Sequence, residues 1–342
     1  MFPEIKNVLV MNAAGKIKEK IFSLRNEDEF TVLCLEIFRY QVARNKIYRR
    51  YCTYLGIKPE KINKIEEIPF LPIRFFREHD VISGNQKIEK IFTSSSTSGQ
   101  IPSRHLVSDI SLYEKSFLES FQQFYGSPAN YCFFCLLPSY LERPGSSLIY
   151  MTNRLNSESK YKESGYFLYN HDELYSRLTV MNKRKVPVAL FGVSFALVDF
   201  AAKYQIDLSE NTIIIETGGM KGRKKEMTRE ELHDNLTQAF GVKSIHSEYG
   251  MTELLSQAYS KGQGLFRCPP WMKVLTRDLY DPFAYVRNRE TGALNVIDLA
   301  NIYSCSFIET SDMGKSFKTG EFEVTGRVDT SEIRGCNLMV VT

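Results

Sequence analysis

The sequence predicts an α/β core of mixed sheets covered by helices, with a helical subdomain before it and a β-rich C-terminal section after it. Three observations carry this reading. Apolar residues recur at helical spacing between Asn26 and Gly56, helical stretches then alternate with short apolar runs, and beyond Trp271 the chain changes to strand-and-turn signals. The boundaries drawn on this basis are 1–85, 86–265 and 266–342.

The first region contains "FTVLCLEIFRYQVARNKIYRRYCTYLG", one or two helices with Gly56 where a helix would stop. In "IEEIPFLPIRFFREHDVISG", Pro69 and Pro72 forbid a regular helix while the aromatics need burial, so a packed extended brace is expected. The central region alternates "SLYEKSFLESFQQFYG", a helix, with the strand-like runs "YCFFCLLPSY", "KVPVALFGVS", "NTIIIETGG" and "VKSIHSEYG". After "QGLFRCPPW" come "MKVLTRDL", "RETGALNVIDLAN", "SCSFIETSDMG" and "FEVTGRVD", each bounded by Gly, Asn or Asp. No internal repeat or low-complexity linker interrupts the chain.

Composition narrows the class. Over 342 residues, 43% hydrophobic and 25% charged residues are ordinary globular values, and 23 Phe with 19 Tyr can line a core or an apolar pocket. The net charge of +4 comes from 44 basic and 40 acidic residues spread along the chain, which predicts neither a nucleic-acid footprint nor stable membrane insertion. No apolar stretch approaches the ~20 residues that cross a bilayer, and the N-terminus lacks a secretion signal, so the cytoplasm is expected. Seven cysteines, an odd number without metal-type repeats, suggest reduced thiols. Cys132 and Cys135 have Cys-x-x-Cys spacing, but a strand would turn them to opposite faces, so they read as core packing, as do Cys34, Cys52, Cys268 and Cys305.

Three stretches can carry chemistry. Phe92 to Ser103, "FTSSSTSGQIPS", offers hydroxyls and backbone N–H groups that could cradle phosphate, although a plain polar turn reads the same way. It is neither a Walker loop nor a Gly-x-Gly-x-x-Gly turn. In "SIHSEYGMTELLSQAY" a short strand ends in Tyr-Gly-Met-Thr-Glu and an amphipathic helix is expected to start; a Thr hydroxyl and a carboxylate there could hold phosphate and Mg²⁺, or merely cap the helix. In "ETSDMGKSF" and "VTGRVDTSEIRGCNL", Asp312 could accept from ribose hydroxyls and Arg327 could donate to ribose or phosphate; each could equally be a surface turn. Gly218 and Gly219 end the run "TIIIET", where backbone must come close to something, and the basic run Lys221 to Lys225 beyond them reads as a solvated loop or a docking surface. His105, just past the first stretch, and His246, within the second, could each be a general base or a phosphate contact, but read first as hydrogen-bonding residues.

In their order and spacing these stretches resemble the adenylate-forming superfamily of acyl-CoA synthetases, adenylation domains and luciferases. Within it the chain looks most like the long-chain acyl-protein synthetases of the LuxE type, with phenylacetate-CoA ligases as cousins: "IPFLPIRFF", "LLPSYLERPGSSLIYM", "ETGGMKGRKKEMTREELH", "HSEYGMTELLSQAY" and "IRGCNL" carry the resemblance, from about Phe30 to Leu338.

That resemblance implies ATP and Mg²⁺ as cofactors and a long-chain acyl or aryl carboxylic acid as substrate. Ser94, Ser95, Ser96, Thr97, Ser98 and Gly99 would wrap the phosphates, Gly218 and Gly219 would line the adenine and acyl pocket, and Tyr249 would contact the adenine. Within the same Tyr-Gly-Met-Thr-Glu motif, Gly250 and Met251 would join the adenylate site, Thr252 would meet the α-phosphate and Glu253 would hold Mg²⁺. Asp312 and Arg327 would fix the ribose. Two departures stand out: Ser96 replaces a Gly, and the loop's usual Lys is missing, leaving Arg104 as its candidate cation. Thirteen residues follow Asp329, where acyl-CoA synthetases continue into a lid with a catalytic Lys. In place of that lid stands Cys336, the acyl acceptor in this family, with Arg334 as the cation that would favour its thiolate. The implied activity is acid activation to an acyl-adenylate, transfer to Cys336, and onward passage to an acyl reductase or acyl carrier. The alternatives are a ligase acting on an external coenzyme A or carrier thiol, and a non-catalytic nucleotide-binding subunit.

Overall fold

The computed structural model describes residues 14–95, 101–138, 142–218 and 227–328. Helix α1 (Glu27–Arg44) begins at Asn26, whose side chain accepts from the Glu29 amide at 2.9 Å, and its first turn is acidic. It buries Phe30, Leu33, Ile37 and Phe38 on one stripe. Asn45 both ends α1 and caps α2 (Lys46–Tyr54) by accepting from the Tyr48 amide, so the periodic run is two helices with a pinned joint. That joint is buried because the Asn45 amide also donates to the Ser304 carbonyl at 3.0 Å. The proline-marked segment contributes β1 (Leu71–Pro72) and the short α3 (Phe75–Glu78), with Phe70, Leu71 and Phe76 buried.

The central region runs β2 (Lys90–Thr93), β3 (Arg104–Val107), α4 (Ile110–Tyr125), β4 (Cys132–Leu136), α5 (Ser147–Glu158), β5 (Gly165–Tyr166), α6 (His171–Lys183), β6 (Val188–Val193), α7 (Ser194–Lys203), β7 (Thr212–Thr217), α8 (Arg229–Phe240) and β8 (His246–Tyr249). Strands β5, β4, β6, β7 and β8 lie side by side and parallel. Both faces are covered over β4, β6 and β7, which is why those three strands read as continuous apolar runs. Cys132, Phe134 and Leu136 pack toward α6, α7 and α8, whereas Phe133 and Cys135 pack toward α4 on the other face. The Cys-x-x-Cys pair is therefore split between two cores, and burial pushes the Cys132 thiol up to about 11. A strand not foreseen in the sequence, β3, comes after the hydroxyl run and pairs with β2 before α4 begins.

The remaining strands, β9 (Ala258–Ser260), β10 (Leu265–Arg267), β11 (Met272–Arg277), β12 (Gly292–Asp298), β13 (Phe307–Ser316) and β14 (Glu321–Arg327), extend the same sheet in the order β8-β9-β10-β14-β13-β12-β11, all antiparallel. β1 adds to it by pairing with β13. The helix expected after Thr252 does not form. β9 pairs back onto β8 through Tyr249↔Ala258, so the intervening residues must reverse the chain. The amides of Leu255 and Ser256 are turned onto the Asp298 carboxylate, at 2.7 and 3.0 Å, instead of into a helical ladder.

Candidate active site

Parallel strands of an α/β sheet present their carboxyl ends to ligands, and some of the predicted residues lie at or next to those ends. β7 ends at Thr217 and Gly218, and β8 ends at Tyr249 and the Gly-Met-Thr-Glu turn. Across β10 and β14, Asp312 on β13 stands opposite Arg327 on β14. The Tyr249 hydroxyl donates to one Asp312 oxygen at 2.9 Å, and the Arg327 guanidinium donates to the other at 3.2 Å. Burial, reinforced by the Asp312 charge, holds the Tyr249 phenol well above its usual range, so it remains a donor. Its ring is fixed between Phe266 and Phe322, with centroids 5.9 and 5.3 Å away. Asp312 is buried, but the Arg327 side chain is 74% exposed, so the cation faces outward from an anchored base. A bulge between Met313 and Gly314 lies just past Asp312; a Cβ on Gly314 would lie 1.9 Å from the Glu323 carbonyl oxygen, so only glycine fits.

The Thr-Glu turn is held by two residues without a local sequence signature. His105, on β3, places Nδ1 2.8 Å from the Thr252 carbonyl and Nε2 3.0 Å from the Asn301 side-chain oxygen. The Asn301 amide donates to the Glu253 carbonyl at 2.8 Å. Asn301 is positioned in turn by Gln41 of α1, which donates to the Asn301 and Ile302 carbonyls at 3.0 Å. The Glu253 carboxyl is left to point elsewhere. It is buried beside the Ser103 hydroxyl, and burial raises its pKa while that hydroxyl, then Arg77 and Arg327, act the other way.

Burial lowers the His105 pKa from an ordinary 6.5 to about 4, against the pull of its two acceptors. The unfolded imidazole thus binds its proton more readily, and stability falls as pH drops from 6.5 toward 4, with no contribution above 6.5. This group alone is worth about 3 kcal/mol across that window. Denaturant midpoints at pH 6.5 and 4.5 should differ less in His105→Gln than in the parent; an unchanged difference would mean that the ring is not buried in its neutral form.

Asp298 is the second hidden support. Fully buried, it accepts from Leu255, Ser256 and Ala300 amides and from the Ser256 hydroxyl, the last at 2.6 Å. Burial raises its pKa to about 6 despite those donors. Asp298→Ala leaves four buried donors without an acceptor, and a loss of ~3–5 kcal/mol is expected by calorimetry or denaturant melts; a loss under ~1 kcal/mol would show that the turn relaxes freely.

The hydroxyl loop is closed at its base, where the Ser103 amide donates to Ser94 Oγ at 2.9 Å and the Ser94 amide to the Ser103 carbonyl at 3.1 Å. Ser96, Thr97, Ser98 and Gly99, together with Gly219, the basic run Lys221 to Lys225, Arg334 and Cys336, lie outside the described residues. Arg104, the candidate loop cation, sits 3.3 Å from Asp80 with both groups exposed. Gly218 has φ +70°, and among the described residues nothing lies within 4 Å of where a Cβ would stand. Gly250 is exposed and Met251 packs partly against the core. His246 stacks on Tyr125 at 5.6 Å, away from the Thr-Glu turn's own supports. A groove of about 1210 Å³ along α8, β10 and β14 is lined by none of the predicted site residues.

Solved structures with this architecture are adenylate-forming enzymes. ATP-bound MatB from Rhodopseudomonas palustris matches with a TM-score of 0.54 at 14% identity over 71% of this chain, and the chain spans about half of that protein's length, 49%. A 2-hydroxyisobutyryl-CoA ligase in its postadenylation state matches with a TM-score of 0.64 at 13% identity, over 88% of this chain and 68% of that one. The fold is thus that of the adenylate-forming enzymes. A sequence model of the acyl-protein synthetases matches residues 18–342, and the chain belongs to that family, LuxE. The long-chain-fatty-acid–luciferin-component ligase of Vibrio harveyi is 21% identical to it over 351 residues, covering 93% of this chain and 89% of the relative. Among the described residues no helix is long and apolar enough to cross a membrane.

Proposed function

We propose that the protein activates a long-chain carboxylic acid with ATP and Mg²⁺, and passes the acyl group to its own Cys336. The observation that carries this is the cluster in which Asp312, within β13, joins Tyr249 at the end of β8 and Arg327 at the end of β14, with the buried Glu253 carboxyl within electrostatic reach of Arg327. The residues suit the ligands. Asp312 presents carboxylate oxygen to ribose hydroxyls, outward-facing Arg327 donates to ribose or phosphate, and Gly218, lacking a side chain, lets a flat base come close to backbone. Glu253 is a single hard oxygen ligand of the kind that takes Mg²⁺ together with substrate phosphates, and the ion would supply charge neutralisation on those oxygens.

In the first step the acid's carboxylate attacks the α-phosphorus of ATP and pyrophosphate leaves, giving the acyl-adenylate. Thr252 and the backbone of the Ser94 to Gly99 loop would meet the phosphate charge, and Glu253 would hold the ion. In the second, the Cys336 thiolate attacks the acyl carbonyl, a thioester forms and AMP departs. An acyl reductase or acyl carrier would then take the acyl group. A second reading, with an external thiol as acceptor, gains from the fold match to 2-hydroxyisobutyryl-CoA ligase, which has been solved with coenzyme A bound. Acid-dependent exchange of labelled pyrophosphate into ATP tests the first step for both readings: exchange that requires a long-chain acid and Mg²⁺ is expected, and no exchange with any acid would overturn them together.

A further inference from the structure

The stretch Phe92 to Ser103 carries hydroxyls and amides but no Lys or Arg of its own, so the charge of a triphosphate must be met by a cation from another element. The first basic residue after it, Arg104, is exposed and faces Asp80 at 3.3 Å. The short helix α3 supplies a second cation, Arg77, from a part of the chain remote in sequence from every motif above.

α3 is braced from two sides. At its start the Ile73 amide donates to the Glu309 carbonyl at 2.9 Å, on β13, the strand that carries Asp312. In its middle the buried Phe76 ring meets His105 edge-on, with centroids 5.7 Å apart, and His105 in turn holds the Thr252 carbonyl. Arg77 follows Phe76 directly and is exposed. Its charge reaches the buried Glu253 carboxyl, which also takes the Ser103 hydroxyl, whereas the charge of Arg74 on the same helix acts on Glu309 and Tyr51. Arg77 therefore stands at the solvent side of the place where Ser103 meets the Thr-Glu turn. A guanidinium has several N–H donors in a rigid fork, so it can lie in the field of one carboxylate and still donate to an anion outside.

We propose that Arg77 donates to the β- and γ-phosphate oxygens of ATP and to the pyrophosphate that leaves, with Arg327, anchored on Asp312, left to the ribose side. This rests on the acid-activation reading above and adds a binding residue to it. When the acid's oxygen bonds to the α-phosphorus, the bond from that phosphorus to the bridging oxygen breaks and the electron pair stays with pyrophosphate. Arg77 would meet the charge that builds there.

The test is calorimetric binding of ATP and of AMP to the full chain, with Mg²⁺ and no acid, for the parent, Arg77→Ala, Arg77→Lys and Arg74→Ala. Arg77→Ala should weaken ATP by ~10–100-fold and leave AMP nearly unchanged, Arg77→Lys should recover part of the loss, and Arg74→Ala should move neither. Because the ATP-to-AMP ratio is read on one preparation, a partly unfolded variant changes the active fraction and not the ratio. An equal loss for both nucleotides, a loss for neither, or the same loss in Arg74→Ala overturns the assignment of Arg77, while acid-dependent pyrophosphate exchange by the parent leaves the activation reading standing. A parent that shows no exchange with any acid overturns that reading and this inference with it.

Discussion

Replacing Asp312 with alanine lowers acid-dependent pyrophosphate exchange by ~10²–10³, with the larger share in the KM for ATP, if the carboxylate orients ribose and binding groups as proposed. The reason is its double duty. One oxygen takes the buried Tyr249 hydroxyl and the other takes Arg327. Without Asp312 the phenol, whose pKa burial raises, has lost its acceptor, and the largely exposed Arg327 has lost the anchor that aims it. Asp312→Asn can still accept from Tyr249 but no longer pairs with the guanidinium charge, so an intermediate loss is expected. A folded Asp312→Ala protein within tenfold of the parent would reduce the triad to a structural clasp between β8, β13 and β14.

The second large effect belongs to Glu253. Glu253→Gln should cut exchange by ~10² or more and move half-maximal activity to higher Mg²⁺ concentration, since the amide offers one weaker oxygen in place of a carboxylate. Folding should survive, because the turn is held through backbone carbonyls: Thr252 by His105 and Glu253 by Asn301. Removing a buried carboxyl whose ionisation burial opposes should leave the melting temperature equal or higher. An unchanged Mg²⁺ titration would remove Glu253 from the ion's coordination.

Much of the architecture is legible in the sequence because local pattern and tertiary need agree. "TIIIET" and "CFFCL" are continuous apolar runs because both sheet faces are covered, and the odd separation of Cys132 and Cys135 sends them into different cores. The Tyr-Gly-Met-Thr-Glu motif can be placed at a strand end because a strand-like run precedes it. The residues after Thr252 have helical spacing and yet form no helix, because the amides of Leu255 and Ser256 answer to Asp298, 43 and 42 positions away in sequence. His105 and Asn301 meet across 196 residues, and Gln41 reaches over 260 to position the same loop. In the sequence, "RETGALNVIDLAN" is a strand with turn residues at its ends; the role of Asp298 and Asn301 emerges when the C-terminal strands join the parallel sheet.

The most direct test of self-acylation is intact mass of the full chain after incubation with ATP, Mg²⁺ and a long-chain acid, before and after hydroxylamine. One acyl increment that hydroxylamine removes, absent in Cys336→Ser while that variant still exchanges pyrophosphate, is the predicted result. Active exchange with no adduct on the parent chain, or an adduct that persists in Cys336→Ser, would contradict it.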